Sequence, residues 1–455
     1  MISSLIHSMI VCPDMDYSYP RITYGKGVFL YDEHGKKYMD ASSGSAGVTN
    51  LGHDTGAIAD VMHAQVRKAA VLPTHAVSTE VLESYLSKLV AFAGHDFVRA
   101  WTVSSGTEAV ENAVKLAYQY HVLNGEPDRY KVLARWSSYH GNSVFMLDVG
   151  GMRLRRDTYA RWMNNFPHLS PAYKYRKPEG MTDDEYISML IKELEDTILE
   201  NDPATIAAFV LEPVVAAALG AVPPPDSRYI KEVRALCDRY GILLIADEVL
   251  TGFGRLGANF GMDKWNTAPD IIAAGKGISA GYYPLSAIIA NRKVARPFEE
   301  QKVPFLGGHT FACSPLGAAI GSYVIDYMEK ERVVENAAEA GRYLSTLLKK
   351  ELLPFDIVGD VRGEGLLQGI ELVKDKTTKQ PFPPELLLSK KIGQRCIQKG
   401  VILYPGRGSA GNNTGDHIMI CPPLISSHAH MEELVAVLAE SVQEEMERVL
   451  VAPGL

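Results

Sequence analysis

The sequence has few cysteines, and their positions match neither a disulfide framework nor a zinc site. The five cysteines are scattered through 455 residues at positions 12, 237, 313, 396 and 421, without paired spacing. Such usage is typical of reduced, mostly buried thiols. The 13 histidines include no HExxH or comparable ligand spacing. We therefore expect no metal site.

Long apolar runs and strongly basic stretches are also missing. No apolar segment approaches the roughly 20 residues of a membrane span, and the amino terminus has no charged region followed by an apolar region with a cleavage site. The formal net charge is -8, and no basic stripe carries interleaved aromatic residues, which argues against nucleic-acid binding. The sequence thus predicts a cytoplasmic protein with neither a membrane nor a nucleic-acid partner.

Helical periodicity and short apolar strands alternate from residue 58 onward, which predicts an α/β fold with a mainly parallel sheet and helices on both faces. The chain is 46% hydrophobic, enough to bury a large core. We predict a large domain over residues 58–322 and a small α+β domain formed by both chain ends, residues 1–57 and 323–455. The predicted strands of the large domain are 98–103, 131–136, 207–211, 243–246, 271–274 and 286–290. The small domain receives a hairpin at 27–40, strands at 365–373 and 400–404, and a terminal helix at about 431–450.

An acidic pair and a lysine each follow a predicted strand. The apolar run 242–246 delivers Asp247 and Glu248 to its carboxyl end, and the strand 271–274 ends just before Lys276. Ligands of open α/β sheets bind beyond the carboxyl ends of the strands, so Asp247 and Lys276 are expected to face one crevice. Pyridoxal phosphate needs a lysine amine for its Schiff base and an acid beside its pyridinium nitrogen. The alternative is a structural ion pair beside an ordinary turn.

A second candidate site is the segment 104–109, where a strand leads into a helix. Gly106 permits close backbone approach, the hydroxyls of Ser105 and Thr107 are hydrogen-bond donors, and a helix amino terminus attracts phosphate. An ordinary hydroxyl N-cap is the alternative. Tyr139 and His140 follow the strand 131–136 in the same way, and the tyrosine ring can stack on a flat heterocycle.

Seven short motifs, in this order along the chain, resemble class III pyridoxal-phosphate-dependent aminotransferases. The resemblance extends from about Tyr19 to the last helix, and it implies fold type I, the fold of the aspartate aminotransferase superfamily. The motifs are Ser105-Gly106-Thr107-Glu108-Ala109, Tyr139-His140-Gly141, Glu212-Pro213-Val214, Asp247-Glu248-Val249 with Thr251-Gly252-Phe253-Gly254-Arg255, Gly275-Lys276-Gly277, Gly308-His309-Thr310-Phe311 and Gly363-Glu364-Gly365-Leu366.

The resemblance assigns the chemistry to two residues. Lys276 is expected to form the Schiff base with pyridoxal phosphate and then to serve as base and acid in the proton shift, which requires a lowered amine pKa. Asp247 is expected to pair with the pyridinium nitrogen, so that the ring accepts electrons.

The same resemblance distributes the cofactor contacts. Ser105, Gly106 and Thr107 are expected to hold the phosphate, Tyr139 to stack on one ring face and Val249 to pack on the other, with His140 nearby. Glu212 is expected to bond to the cofactor's edge or to a substrate-gating arginine. Thr310 is expected to reach the phosphate in the other subunit, which makes a homodimer with active sites at the interface the catalytic unit.

Within the class, the chain is similar to ω-amino acid and amine:pyruvate transaminases at residues 281–287 and at Gly415-Asp416-His417-Ile418 before Cys421. The preferred function is ping-pong transfer of an amino group from an amine or ω-amino acid to a keto acid, pyruvate being the expected acceptor. Alternatives are 2-oxoglutarate as acceptor, decarboxylating transfer or an aminomutase. A non-catalytic relative is disfavoured because Lys276 and Asp247 are both present.

Two segments depart from the branch. The expected carboxylate-binding arginine before the Gly-Asp-His stretch is replaced by Leu403-Tyr404 and a predicted inserted loop, 405–414. Arg407 in that loop is expected to bind the substrate carboxylate, with Tyr139 as a further substrate contact; the alternative is a solvated arginine. The segment 41–50 lacks a tryptophan, which predicts more room for the amine side chain.

Overall fold

The structure is a computed structural model that describes residue 17, residues 19–411 and residues 413–451. The outermost parts of the predicted small domain, residues 1–16 and 452–455, lie outside this range. The strands, β1 to β15, are Ile22–Lys26, Phe29–Asp32, Lys37–Asp40, Phe97–Val103, Lys131–Arg135, His168–Leu169, Ile206–Leu211, Leu243–Glu248, Ile271–Ala274, Ser286–Asn291, Val358–Glu364, Leu367–Leu372, Val401–Ile402, Tyr404–Gly411 and Thr414–Ile420. The α-helices, α1 to α12, are Ala57–Val66, Glu80–Ala93, Gly106–Leu123, Val144–Val149, Arg153–Arg156, Asp183–Glu200, Ser227–Tyr240, Arg292–Gln301, Pro315–Lys330, Val333–Leu352, Leu388–Gln398 and His428–Val451.

A seven-stranded sheet is the centre of the fold, in the order β4-β10-β9-β8-β7-β5-β6. The strands β5 to β9 pair in parallel, and β10 is antiparallel to both of its neighbours. This confirms the predicted mainly parallel sheet. Strand β9 has the predicted bounds, and the other strands predicted for this sheet differ by one or two residues at their ends. The two-residue edge strand β6 was not predicted.

The sheet is buried on both faces because helices cover each of them. Successive residues of a strand point to opposite faces, so neighbouring residues can belong to different cores. In β7, Ala208 and Val210 join one apolar core with helix α3. The neighbouring Phe209 and Leu211 belong to another core, which helices α6 and α7 cover. The continuous apolar runs of the sequence therefore correspond to strands between two helical layers.

Two smaller sheets lie outside this layer. One has the order β1-β2-β3-β13 and the other the order β11-β12-β15-β14. The predicted hairpin is present as β2 and β3, and β3 pairs in parallel with β13, so both chain ends contribute to one sheet. The terminal helix α12 is confirmed. The domain boundaries at 57/58 and 322/323 stay a prediction.

None of the described helices is long and apolar enough to cross a membrane. Cytoplasmic location stays a prediction.

Candidate active site

A cavity of about 180 Å³ opens at the carboxyl ends of the parallel strands. Tyr139 follows β5, Glu212 follows β7, Asp247 lies near the end of β8 and Lys276 follows β9. The structure thus brings together most of the residues predicted from the sequence. Those lining the cavity are Gly106, Thr107, Tyr139, His140, Glu212, Asp247, Val249 and Lys276.

Lys276 lies in the short turn between β9 and β10, with a φ of 48°. This left-handed backbone conformation is uncommon for a residue with a side chain and is often found at functional sites. Burial lowers the pKa of the Lys276 amine, and the nearby Asp247 carboxylate opposes that shift. An amine with a lowered pKa has a larger neutral fraction, which is the form that attacks a carbonyl or accepts a proton.

Asp247 is held by two neighbours at the floor of the cavity. Its Oδ2 atom lies 2.8 Å from Nδ1 of His140, and its Oδ1 atom accepts a hydrogen bond from the backbone N–H of Val249 at 3.1 Å. A carboxylate accepts, so His140 carries its proton on Nδ1 in this pair. The Nε2 atom of His140 is buried and has no hydrogen-bond partner within the described residues. An unpartnered polar atom in a cavity wall is suited to bind a ligand.

The amino terminus of helix α3 forms one end of the cavity. A Cβ atom on Gly106 would lie 2.6 Å from Cγ1 of Val249, so only glycine allows this approach. Thr107 lines the cavity, and its Oγ1 accepts from the backbone N–H of Asn142 at 3.2 Å. Free N–H groups and the helix dipole make this end favourable for an anion.

Ser105 does not line the cavity. Its Oγ accepts from the backbone N–H of Glu108 at 3.2 Å, which is the N-cap geometry that the sequence left open as the alternative. The segment 104–109 therefore combines both readings: Ser105 caps the helix, and Gly106 and Thr107 face the cavity.

Glu212 shapes the cavity wall through the backbone. Its Oε1 accepts from the N–H of Tyr139 at 2.9 Å, and its Oε2 accepts from the N–H of Ala216 at 3.0 Å. Burial raises the pKa of this carboxyl. Within the described residues, no arginine lies within 4.0 Å of the Glu212 carboxylate. Sequence reasoning missed Ala216 and Ala217, which also line the cavity, because small residues carry no chemical signal.

Thr310 and Arg407 lie outside this cavity. Thr310 is exposed in a loop. Arg407 lines a second cavity together with Trp136, Arg153 and Ala218.

The predicted loop 405–414 is wrong: residues Tyr404–Gly411 form strand β14, which pairs antiparallel with β15. The many glycines of this segment suggested a loop, but Gly406 has a packing reason. A Cβ atom there would lie 2.1 Å from Nε2 of His417. The pairing is irregular only between Arg407 and Gly411, where Gly408 has a φ of 104°.

The family described as aminotransferase class-III matches residues 14–442 of this sequence. The chain belongs to the class III aminotransferases. Enzymes of this class depend on pyridoxal phosphate. The family and the fold type I predicted from the seven motifs are thereby confirmed.

The aminotransferase is similar to other members over almost its whole length. It is 37% identical to an uncharacterised aminotransferase of Schizosaccharomyces pombe, over 93% of this chain and 92% of that protein. It is 31% identical to gamma aminobutyrate transaminase 3 of Solanum lycopersicum, over 94% and 81% of the two chains. An (S)-enantioselective omega-transaminase from Thermomicrobium roseum superposes with a TM-score of 0.89 at 34% identity, covering 95% and 94%.

Proposed function

We propose that this aminotransferase binds pyridoxal phosphate in the cavity and moves an amino group from an amine or ω-amino acid to pyruvate in a ping-pong reaction. The observation that carries the proposal is the placement of Lys276 and Asp247 in one cavity beside the amino terminus of α3. An amine, an acid and an anion-binding helix end are the three features that this cofactor requires.

The residues present fit the cofactor. Gly106 and Thr107 would hold its phosphate, Tyr139 and Val249 would contact the two ring faces, and Asp247 would face the pyridinium nitrogen. Because residue 106 is glycine, no side chain stands at the helix end, where a Cβ atom would lie 2.6 Å from Cγ1 of Val249. When bound, pyridoxal phosphate supplies the electron sink for cleavage of the substrate C–H bond.

The protein's own groups then account for the remaining steps. Lys276 would hold the cofactor through its amine, and once released from it the same amine would remove and return a proton at the substrate carbon. Asp247 would keep the ring nitrogen of a bound cofactor protonated, and His140 holds Asp247 in place through the 2.8 Å contact. Glu212 fixes the backbone of Tyr139, which keeps the aromatic ring at the cavity wall.

A homodimer is part of the proposal. Thr310 is exposed and does not line its own cavity, as expected for a residue that reaches the phosphate site of a partner subunit. Exposed apolar side chains flank it: Leu306 is 72% exposed and Phe311 is 54% exposed. Contact with a second copy of the chain would bury them, because large exposed apolar side chains favour association.

Arg407 is proposed to bind the keto-acid carboxylate. In the structure it lines the neighbouring cavity and not the cofactor cavity, so this role requires the side chain to move. The irregular pairing around Gly408 gives it that freedom, although β14 limits motion of the backbone.

A second acceptor, 2-oxoglutarate, has specific support. One relative, 30% identical over 91% of this chain, is a diaminobutyrate–2-oxoglutarate transaminase from Halomonas elongata. The similarity to omega-transaminases supports an amine as the donor and is compatible with either acceptor.

The test is an absorbance screen of the holoenzyme with amines and ω-amino acids, which follows conversion of the bound cofactor to its amine form. Each active donor is then paired with pyruvate or 2-oxoglutarate, and alanine or glutamate is quantified. Alanine formation supports the proposal, and glutamate formation alone would favour 2-oxoglutarate as the acceptor. Carbon dioxide release, or rearrangement without an acceptor, would indicate decarboxylating transfer or aminomutase activity.

A further inference from the structure

A second cavity, of about 200 Å³, lies beside the cofactor cavity. Its wall contains Trp136, Arg153, Ala218 and Arg407. None of the seven family motifs contributes a residue to it. The cavity combines two cations with an aromatic wall.

Both arginines are free to bind an anion. Within the described residues, neither Arg153 nor Arg407 lies within 4.0 Å of a carboxylate, and neither guanidinium donates a hydrogen bond. The neighbouring Arg156 differs, because it donates to the backbone carbonyls of Asp148 and Gly150. The Arg153 guanidinium lies over the Trp136 ring, 4.2 Å from its centroid, which holds the cation against the cavity wall.

Two segments of the chain have neighbouring residues at both cavities. Ala216 and Ala217 line the cofactor cavity, and the next residue, Ala218, lines the second one. The short helix α5 also spans both regions: Arg153 faces the second cavity, while Arg155 lies 5.2 Å from the centroid of the Tyr139 ring. A substrate held at Lys276 by its reacting end, and long enough to enter the second cavity, would present its other end to the arginines.

We propose that Arg153, together with Arg407, binds the anionic end of an ω-amino acid donor and so selects this substrate class. The inference rests on the proposed aminotransferase function and deepens it. The carboxylate of pyruvate is bonded directly to the reacting carbon, so it remains near Lys276. An ω-amino acid carries its carboxylate several bonds away from the reacting carbon, so this group can extend beyond the cofactor cavity. Guanidinium groups suit a carboxylate because they donate paired hydrogen bonds in a plane.

The first measurement uses the holoenzyme and two donors of similar length. The donor 5-aminopentanoate ends in a carboxylate, and pentylamine ends in an uncharged methyl group. Arg153→Ala is expected to raise the KM for 5-aminopentanoate at least tenfold, to leave its kcat within twofold, and to leave both constants for pentylamine unchanged. Arg153→Lys is expected to restore part of the loss, because the charge returns without the paired donors.

Arg161→Ala is the matched control, because Arg161 is an exposed arginine nearby in the chain that lines neither cavity. It is expected to leave all four constants unchanged. Equal losses with both donors in Arg153→Ala would show a structural role, and no loss with either would show that the exposed Arg153 side chain does not bind the donor. Either outcome overturns the proposal.

A second measurement does not depend on turnover. Calorimetric titration of the holoenzyme with pentanoate, which has the carboxylate but no amine, is expected to show binding that weakens at least tenfold in Arg153→Ala. If the wild type binds pentanoate but transfers no amino group, the anion site is supported and the proposed function is wrong. If the enzyme transfers amino groups but Arg153→Ala does not weaken pentanoate binding, the proposed function is supported and the anion site is wrong.

Discussion

His140 Nδ1 lies 2.8 Å from Oδ2 of Asp247, and both side chains are buried at the floor of the cavity. The contact fixes the carboxylate by a charge-assisted hydrogen bond, and the backbone N–H of Val249 holds its other oxygen. Asp247 therefore cannot rotate away from the cavity without losing both partners. Its position is built into the protein before any ligand binds.

The Asp247→Asn variant is expected to lower kcat by orders of magnitude. The neutral amide cannot stabilise the positive charge on the ring nitrogen, so the electron sink weakens. Steady-state kinetics with one active donor and pyruvate measure the effect. A fall of less than about tenfold, which corresponds to roughly 1.4 kcal/mol in the barrier, would mean that Asp247 does not face the ring. Asp263→Asn is a control, since Asp263 pairs with His95 at the surface.

Lys276→Ala is expected to abolish turnover while the protein still folds and still binds the cofactor without a covalent bond. The substitution removes the nucleophile and the proton carrier, but it leaves the phosphate end of the cavity at Gly106 and Thr107 unchanged. Activity assays and the absorbance of cofactor retained after gel filtration test the two parts. Turnover near the wild-type rate would reject Lys276 as the reactive amine.

Arg407→Ala is expected to raise the pyruvate KM while sparing the half-reaction with an uncharged amine. Loss of a hydrogen bond between charged groups costs roughly 1.5 to 3 kcal/mol, about ten- to a hundredfold in KM. The half-reactions are measured separately by rapid mixing. If both half-reactions slow equally, or neither changes, another group binds the keto acid.

The pH dependence of stability is expected to depend on His417. Burial lowers the pKa of this imidazole from 6.5 to about 4. The folded protein therefore keeps the neutral form while the unfolded chain binds a proton, so this group's contribution to stability is lost as the pH falls from about 6.5 toward 4. A difference of this size corresponds to about 3 kcal/mol at the low end of the range.

Melting temperatures of the wild type and His417→Gln, recorded between pH 7 and 4.5 at one protein concentration, measure this contribution. The variant is expected to be less stable at pH 7 and to lose less stability on acidification. His34→Gln is the control, because the His34 side chain is 83% exposed. Parallel pH curves for the wild type and His417→Gln would show that His417 does not cause the acid sensitivity.

The predictions from sequence were most accurate where one physical pattern dominated. The buried strands β7, β8 and β9 are continuous apolar runs, and their bounds were predicted to within two residues. The convergence of Asp247 and Lys276 followed from the parallel order of those strands. The order of the strands was therefore enough to place these two residues in one candidate site.

Other elements were missed because their stability comes from contacts distant in sequence. Strand β11 was not predicted because it contains the charged residues Asp360 and Arg362, but Arg362 pairs with the buried Glu371 of the neighbouring strand at 3.0 Å. Strand β14 was predicted to be a loop because it is rich in glycine. One of these glycines, Gly406, is instead required by the close packing of His417. The contact between His140 and Asp247 joins residues 107 positions apart, and neither motif alone indicates it.

The contact between Gly106 and Val249 constrains how this sequence can evolve. With only 2.6 Å between a Cβ atom on residue 106 and Cγ1 of Val249, any larger residue at 106 would push β8 and helix α3 apart and widen the anion-binding end. An alanine at 106 is tolerable only if residue 249 becomes smaller at the same time. These two positions, 143 residues apart, are thus expected to covary among homologous sequences, because a substitution at only one of them is unfavourable.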